Sequence, residues 1–275
     1  MSQLDGTAIK QIQDLVLSGY HLSDAEDTAC PSVVLPEGTM VKSLESFSMS
    51  RYRFRGKMES TSINDFVEYS SGYADKNEKA RCFIDADNMN ARAIFNIGTL
   101  ENPGHADNTA VLSLKKTAPF RALLEANGDR FSQKELAEWL EDWSDFLSAF
   151  GADGKSMTIA QAASAVRRVT IQQMSSADHE DGDFSGKKSL MQSIEASSKE
   201  VMPAAFEFKC VPYEGLGERR FSLRNSLLKS GEPCFVLRIV QLEAQEEQIA
   251  IEFRDLLIGK FDGKNVETFI GKFTS

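Results

Sequence analysis

The period of the apolar positions changes several times along the chain, and each change predicts an element. Ile9, Ile12, Leu15 and Val16 recur at helical spacing and predict an amphipathic helix over residues 3–18. The polar stretch 21–30, rich in Asp and Glu, predicts a loop or arm leading to Pro31. Residues 33–35 and 40–44 read as short strands around a Pro36-Glu37-Gly38 turn. Residues 48–58 alternate strictly. Arg51, Arg53, Arg55 and Lys57 fall on one face of the predicted strand; Tyr52, Phe54 and Gly56 fall on the other, and the two aromatic rings are expected in the core. Thr61 or Ser62 then caps a helix over 63–70 that turns Ile63, Phe66 and Val67 inward.

Residues 81–114 predict two or three strands broken by turns, with Asp85, Asp87, Asn88, His105, Asp107 and Asn108 at the turns. A helix over 117–126 follows, with Pro119 in its first turn and Asn127-Gly128 at its end. Ser132 and Glu135 form a capping box. Behind it, Leu136, Trp139, Leu140, Trp143, Phe146, Leu147 and Phe150 keep helical spacing and predict one long helix to residue 150, packed on the core or on a second subunit. Residues 157–173 predict another helix. The segment 175–188 is polar and turn-rich and reads as a hinge or mobile loop, with a further helix over 189–199. From Pro203 the runs 205–211, 219–223, 234–242 and 248–253 predict an antiparallel meander.

The fold class expected is therefore α+β. A mixed sheet with covering helices occupies the N-terminal half, followed by a helical middle and a C-terminal antiparallel sheet. The organisation expected is an N-terminal helix and arm over 1–30, an α+β region over 31–174, a hinge and helix over 175–202 and a β region over 203–275. The last region either has its own core or shares that of 31–174.

Charge narrows the function classes. Among 275 residues, 31 Lys and Arg stand against 41 Asp and Glu, a formal charge of −10. Such a surface repels phosphate, so non-specific nucleic-acid binding needs a local basic patch. Candidates for that patch are the strand bearing Arg51, Arg53, Arg55 and Lys57, a second group at Arg219, Arg220, Arg224 and Lys229, and the pair Arg167-Arg168. No run reaches the roughly 18 apolar residues of a membrane span, and the acidic N-terminus is a poor secretory signal. A cytoplasmic location is expected. Cys30, Cys82, Cys210 and Cys234 lie far apart, without a paired-cysteine zinc motif. There is no phosphate-binding P-loop, no nucleophile elbow and no HExxH motif.

The densest candidate chemistry is the turn set Asp85, Asp87, His105 and Asp107. Carboxylates with an imidazole can hold magnesium or manganese and activate water. The same residues also serve as ordinary turn formers.

The succession RYRFRG, STSINDFVEY, FIDADNMNARAIFNIG, PGHADNTAVLSLKKTAPFRALL and LAEWLEDW resembles the YfdQ-like family of tailed phages and prophages. The resemblance spans about 31–253. It implies an intracellular protein encoded near phage recombination, replication or host-takeover functions, working in the host cytoplasm, and it carries no catalytic residues over. Three expectations follow. The first is a non-enzymatic accessory protein that binds a host or phage protein of DNA metabolism or defence as a homo-oligomer, with Trp139, Trp143 and Phe146 as interface candidates. The second is a hydrolase of nucleotides or nucleic acid with a divalent metal at Asp85, Asp87, His105 and Asp107, of which His105 and Asp107 are the catalytic candidates. The third is a single-strand DNA accessory factor using Arg51, Arg53, Arg55 and Lys57.

Overall fold

The computed structural model describes residues 6–25, 45, 49–51, 53–74, 78–169, 201–230 and 232–274. The chain divides into two compact units, Met1–Phe54 and Arg55–Ser275. The strands expected over 33–35 and 40–44, the hinge over 175–188 and the helix over 189–199 lie outside the described residues. In the first unit, α1 spans Gly6–Ala25. The helix thus continues into the stretch expected to be a loop, and Ile9, Ile12, Leu15, Val16 and Leu17 are all exposed.

The second unit contains two sheets. The first combines β1 (Gly56–Ser60), β2 (Ala80–Asp85), β3 (Asn90–Ile94), β4 (Asn108–Ser113) and β11 (Val266–Ile270) in the order β1-β4-β3-β2-β11. It is mixed: β1 runs parallel to β4 and β11 parallel to β2, while β2, β3 and β4 are antiparallel neighbours. Helix α2 (Ile63–Tyr73) covers it, capped by Ser62 as expected, with the Ser62 hydroxyl accepting from the Asp65 amide at 3.3 Å. Ile63, Phe66 and Val67 are buried.

The second sheet is wholly antiparallel. It sets β5 (Arg130–Ser132), β6 (Leu147–Gly151), β7 (Ser156–Met157), β8 (Pro203–Cys210), β9 (Arg219–Ser230) and β10 (Glu232–Ile239) in the order β5-β10-β9-β8-β6-β7. Helices α3 (Ala118–Ala126), α4 (Gln133–Asp142) and α5 (Ile159–Arg168) lie on its inner side, where Phe206, Phe208, Phe221 and Phe235 are buried. Helix α3 is tied to this sheet at both ends. The Thr117 hydroxyl donates to the Val211 carbonyl at 2.6 Å, and the Asn127 side chain accepts from the Ile239 amide at 2.9 Å. One hydrophobic cluster runs through both sheets and their helices.

Further elements differ from the sequence expectation. The capping box of Ser132 and Glu135 starts α4 as expected, and the Ser132 bonds hold the Glu135 carboxyl below its usual range. The helix, however, stops at Asp142. Trp143 leads into a 3₁₀ turn, Ser144–Phe146, and β6 follows. The run 248–253 is not a strand but part of α6 (Leu242–Phe261), whose buried residues Ile249, Phe253, Leu257 and Phe261 recur every four positions. The arginine-rich strand starts only at Gly56. Arg51, Arg53 and Arg55 therefore precede it, and Phe54, expected in the core, is 57% exposed.

Candidate functional site

The turn residues that sequence reasoning grouped do not assemble. Asp85 ends β2 beside Asn90 and Ser113, whereas His105 and Asp107 precede β4 at the opposite end of the same strands. Roughly 20 Å of strand lies between the two pairs. Among the described residues no group of three His, Cys, Asp or Glu side chains is placed to hold a metal ion. This corrects the expectation of one metal cluster and removes the geometric basis for pairing His105 with Asp85 or Asp87.

Asp85 and Asp107 each have a local partner instead. The Asn88 amide donates to both Asp85 carboxylate oxygens, at 3.1 and 2.9 Å, and Lys272 Nζ lies 3.1 Å from Asp85 Oδ2. Asn96 Nδ2 donates to Asp107 Oδ1 at 2.8 Å while Asn96 Oδ1 accepts from the Asn108 amide at 3.0 Å. The loop between them folds tightly. The Gly104 amide donates to the Ile97 carbonyl and the Ala106 amide to the Asn96 carbonyl, each at 3.0 Å. A Cβ on Gly104 would meet the Asn96 carbonyl oxygen at 2.2 Å, so only glycine fits. His105 is exposed. The GHAD turn is a built loop, not a site with convergent polar groups.

Nor do the basic candidates form one strand face. Lys57 is the only one of the four in β1, and it pairs with Glu59. The interface candidates Trp139, Trp143 and Phe146 are half-buried and surround Phe208 of β8, with Phe146 stacked on that ring at 5.7 Å.

The arrangement that does converge is the outer face of the second sheet. Alternation along β9 sends Phe221, Leu223, Asn225 and Leu227 inward and leaves Arg220, Ser222, Arg224, Ser226 and Leu228 outward. The register then aligns Arg238 of β10, Arg224 of β9, Ala205 of β8 and Phe150 of β6 in one row across four strands. Arg130 of β5 pairs with Val236, two residues from Arg238 and on the same face. Arg130, Arg224 and Arg238 are all exposed, and none has an ion pair or side-chain hydrogen bond among the described residues. Lower on the face, Arg220 lies 3.4 Å from Glu207 and Lys209 lies 2.6 Å from Glu218. Like charges directly opposite one another destabilise a sheet. Three unpaired guanidinium groups on one open face therefore form a local positive field within an acidic chain. Sequence reasoning had Arg220 and Arg224 but missed Arg130 and Arg238. These come from distant segments, and only strand order brings them together.

The matched segment covers almost all of the described chain: a family model fits residues 6–273. The chain belongs to DUF2303, a family of uncharacterized conserved proteins. No curated protein and no solved structure matches it. Both sheets and the arginine row fall within the matched residues of the DUF2303 chain. Among the described residues, no helix is long and apolar enough to cross a membrane.

Proposed function

We propose that this protein acts by binding and that the outer face of its antiparallel sheet is the working surface, with single-stranded nucleic acid as the partner. The observation that carries the reading is the unpaired trio Arg130, Arg224 and Arg238 on one open sheet face. Guanidinium groups bind phosphates through paired N–H donors and stack on bases. Phe150, in the same row, adds an aromatic edge of the kind that single-strand binders use. The sequence expectation of a single-strand accessory factor is thereby kept but moved to different residues. The protein is read as an accessory factor of phage DNA metabolism in the host cytoplasm.

The test is fluorescence anisotropy with a labelled oligo-dT and an oligo-rU at a series of salt concentrations. Three phosphate contacts on a single strand predict a slope of log K against log salt of about −2. Arg224→Glu with Arg238→Glu should abolish binding at about 50 mM salt. No binding by the parent at that salt, or equal binding by the double variant, defeats the reading.

A second reading, self-association, has its own observation in the exposed apolar residues of α1. Ile9, Ile12 and Val16 repeat at three and four residues, the spacing of a seam between helices. A second copy of the same helix is the proposed occupant. Light scattering should show an oligomer that Ile12→Asp with Val16→Asp reduces to monomer. A monomeric parent removes this reading and leaves the first intact.

A further inference from the structure

The first sheet carries a separate cleft of about 450 Å³, bounded by β2, β3 and the segment that follows β11. Its construction starts at Gly271, whose amide donates to the Ile84 carbonyl at 2.8 Å and turns the chain back over β2. The turn brings Lys272 to Asp85 and sets the Phe273 ring 5.1 Å from Phe83. Phe83 in turn stacks on Phe269 of β11, at 5.4 Å and 22°. One wall of the cleft is therefore aromatic.

Beside the aromatic rings the lining is polar. Arg92 stands directly across the strands from Phe83, and Asn90 directly across from Asp85. Arg92 Nε is buried and has no hydrogen-bond partner among the described residues. A buried donor left without a partner is costly, so its persistence requires an explanation. The Asn90 side-chain amide also makes no hydrogen bond among the described residues. Because Lys272 neutralises Asp85, the uncompensated charge in the cleft is that of Arg92.

We infer that this cleft binds a nucleoside monophosphate. The base lies against Phe83 and Phe273, the phosphate accepts from the Arg92 fork, and Asn90 bonds the base edge or the sugar. Each element suits one part of that ligand. Aromatic faces take a planar base, an Arg fork takes two phosphate oxygens in parallel, and an amide offers both donor and acceptor. A volume of about 450 Å³ lies within the range of small-molecule pockets. The inference does not rest on the arginine face of the other sheet.

The experiment is titration calorimetry of the full chain with 5′-AMP, 5′-UMP, adenosine and inorganic phosphate. The nucleotides are expected to bind saturably and at least about tenfold tighter than adenosine or phosphate, since both walls must be engaged. Arg92→Lys keeps the charge but loses the fork and should weaken AMP about tenfold. Phe273→Ala should weaken AMP and adenosine together. The Arg224→Glu, Arg238→Glu double variant should bind AMP as the parent does, which separates this cleft from the sheet face. The inference is overturned by no saturable nucleotide binding, by phosphate binding as tightly as AMP, or by AMP affinity unchanged in both Arg92→Lys and Phe273→Ala. Matching thermal melts for parent and variants make each result a statement about the cleft and not about folding.

Discussion

Arg224 and Arg238 face each other directly across neighbouring antiparallel strands, on the exposed side of the sheet, with no acidic partner for either among the described residues. Such a juxtaposition costs roughly 0.2–1 kcal/mol of sheet stability. Replacing Arg238 with Ser should therefore leave the unfolding midpoint equal or slightly higher. The same change should weaken oligonucleotide binding and make the salt slope shallower by about 0.7. Chemical denaturation and anisotropy on one preparation test both halves. A variant that loses stability contradicts the argument that the pair is kept for its ligand.

Arg219 and Glu252 bind the β8–β9 loop to α6. Arg219 Nη2 donates to Glu252 Oε2 at 2.8 Å, and Glu252 Oε1 accepts from the Gly217 amide at 2.6 Å. Arg219 is largely buried, at 17% side-chain exposure. Glu252→Ala strands a buried charge and should cost about 2 kcal/mol or more. A urea midpoint equal to that of the parent would refute it.

Burial pushes the Cys82 thiol up to about 12 from an ordinary value of 9.0, and burial together with Glu218 does the same to Cys210. A raised acid pKa means that the folded state holds its proton more tightly than the unfolded chain. The stabilisation is complete below pH 9 and is lost as pH rises from 9 towards about 12. Cys82→Ala should flatten this alkaline decline. At pH 8, iodoacetamide should label Cys234, which is partly exposed, and spare Cys82 and Cys210 until the protein is unfolded.

Within the GHAD turn, structure and exposure assign opposite outcomes to adjacent residues. Gly104→Ala forces a contact with the Asn96 carbonyl and should destabilise by about 1–3 kcal/mol. His105→Ala removes an exposed side chain and should stay within about 0.5 kcal/mol of the parent. Thermal melts of the two variants decide it. A large loss from His105→Ala would mean that the imidazole has a role in holding the loop.

Local signals in the sequence carried well and long-range ones did not. Ser62 and Ser132 cap the helices that their side chains announce, because a cap needs only residues three positions away. The α+β class and the three strands between Ala80 and Ser113 were legible for the same reason. Phe146 kept helical spacing yet lies beyond the helix, because Phe208 offers its ring a stacking partner from a strand some sixty residues later. Ile249, Ile251 and Phe253 satisfy the strand period, but Ile251 is exposed while Phe253 and Leu257 are buried, so the helix wins by packing. The arginine row was illegible because its members lie on strands whose adjacency no local pattern fixes.

Strand β11 has a consequence for the life history of the molecule. It completes the first sheet by lying parallel to β2, a strand made about 180 residues earlier. During synthesis, β2 must wait with an open apolar edge until Val266–Ile270 emerges from the ribosome. Edges of that kind recruit foreign strands, and pairings so distant in sequence form slowly. Nascent chains that stall before residue 266 should therefore be the aggregating, protease-sensitive species, and chaperone demand should last until that segment has been made.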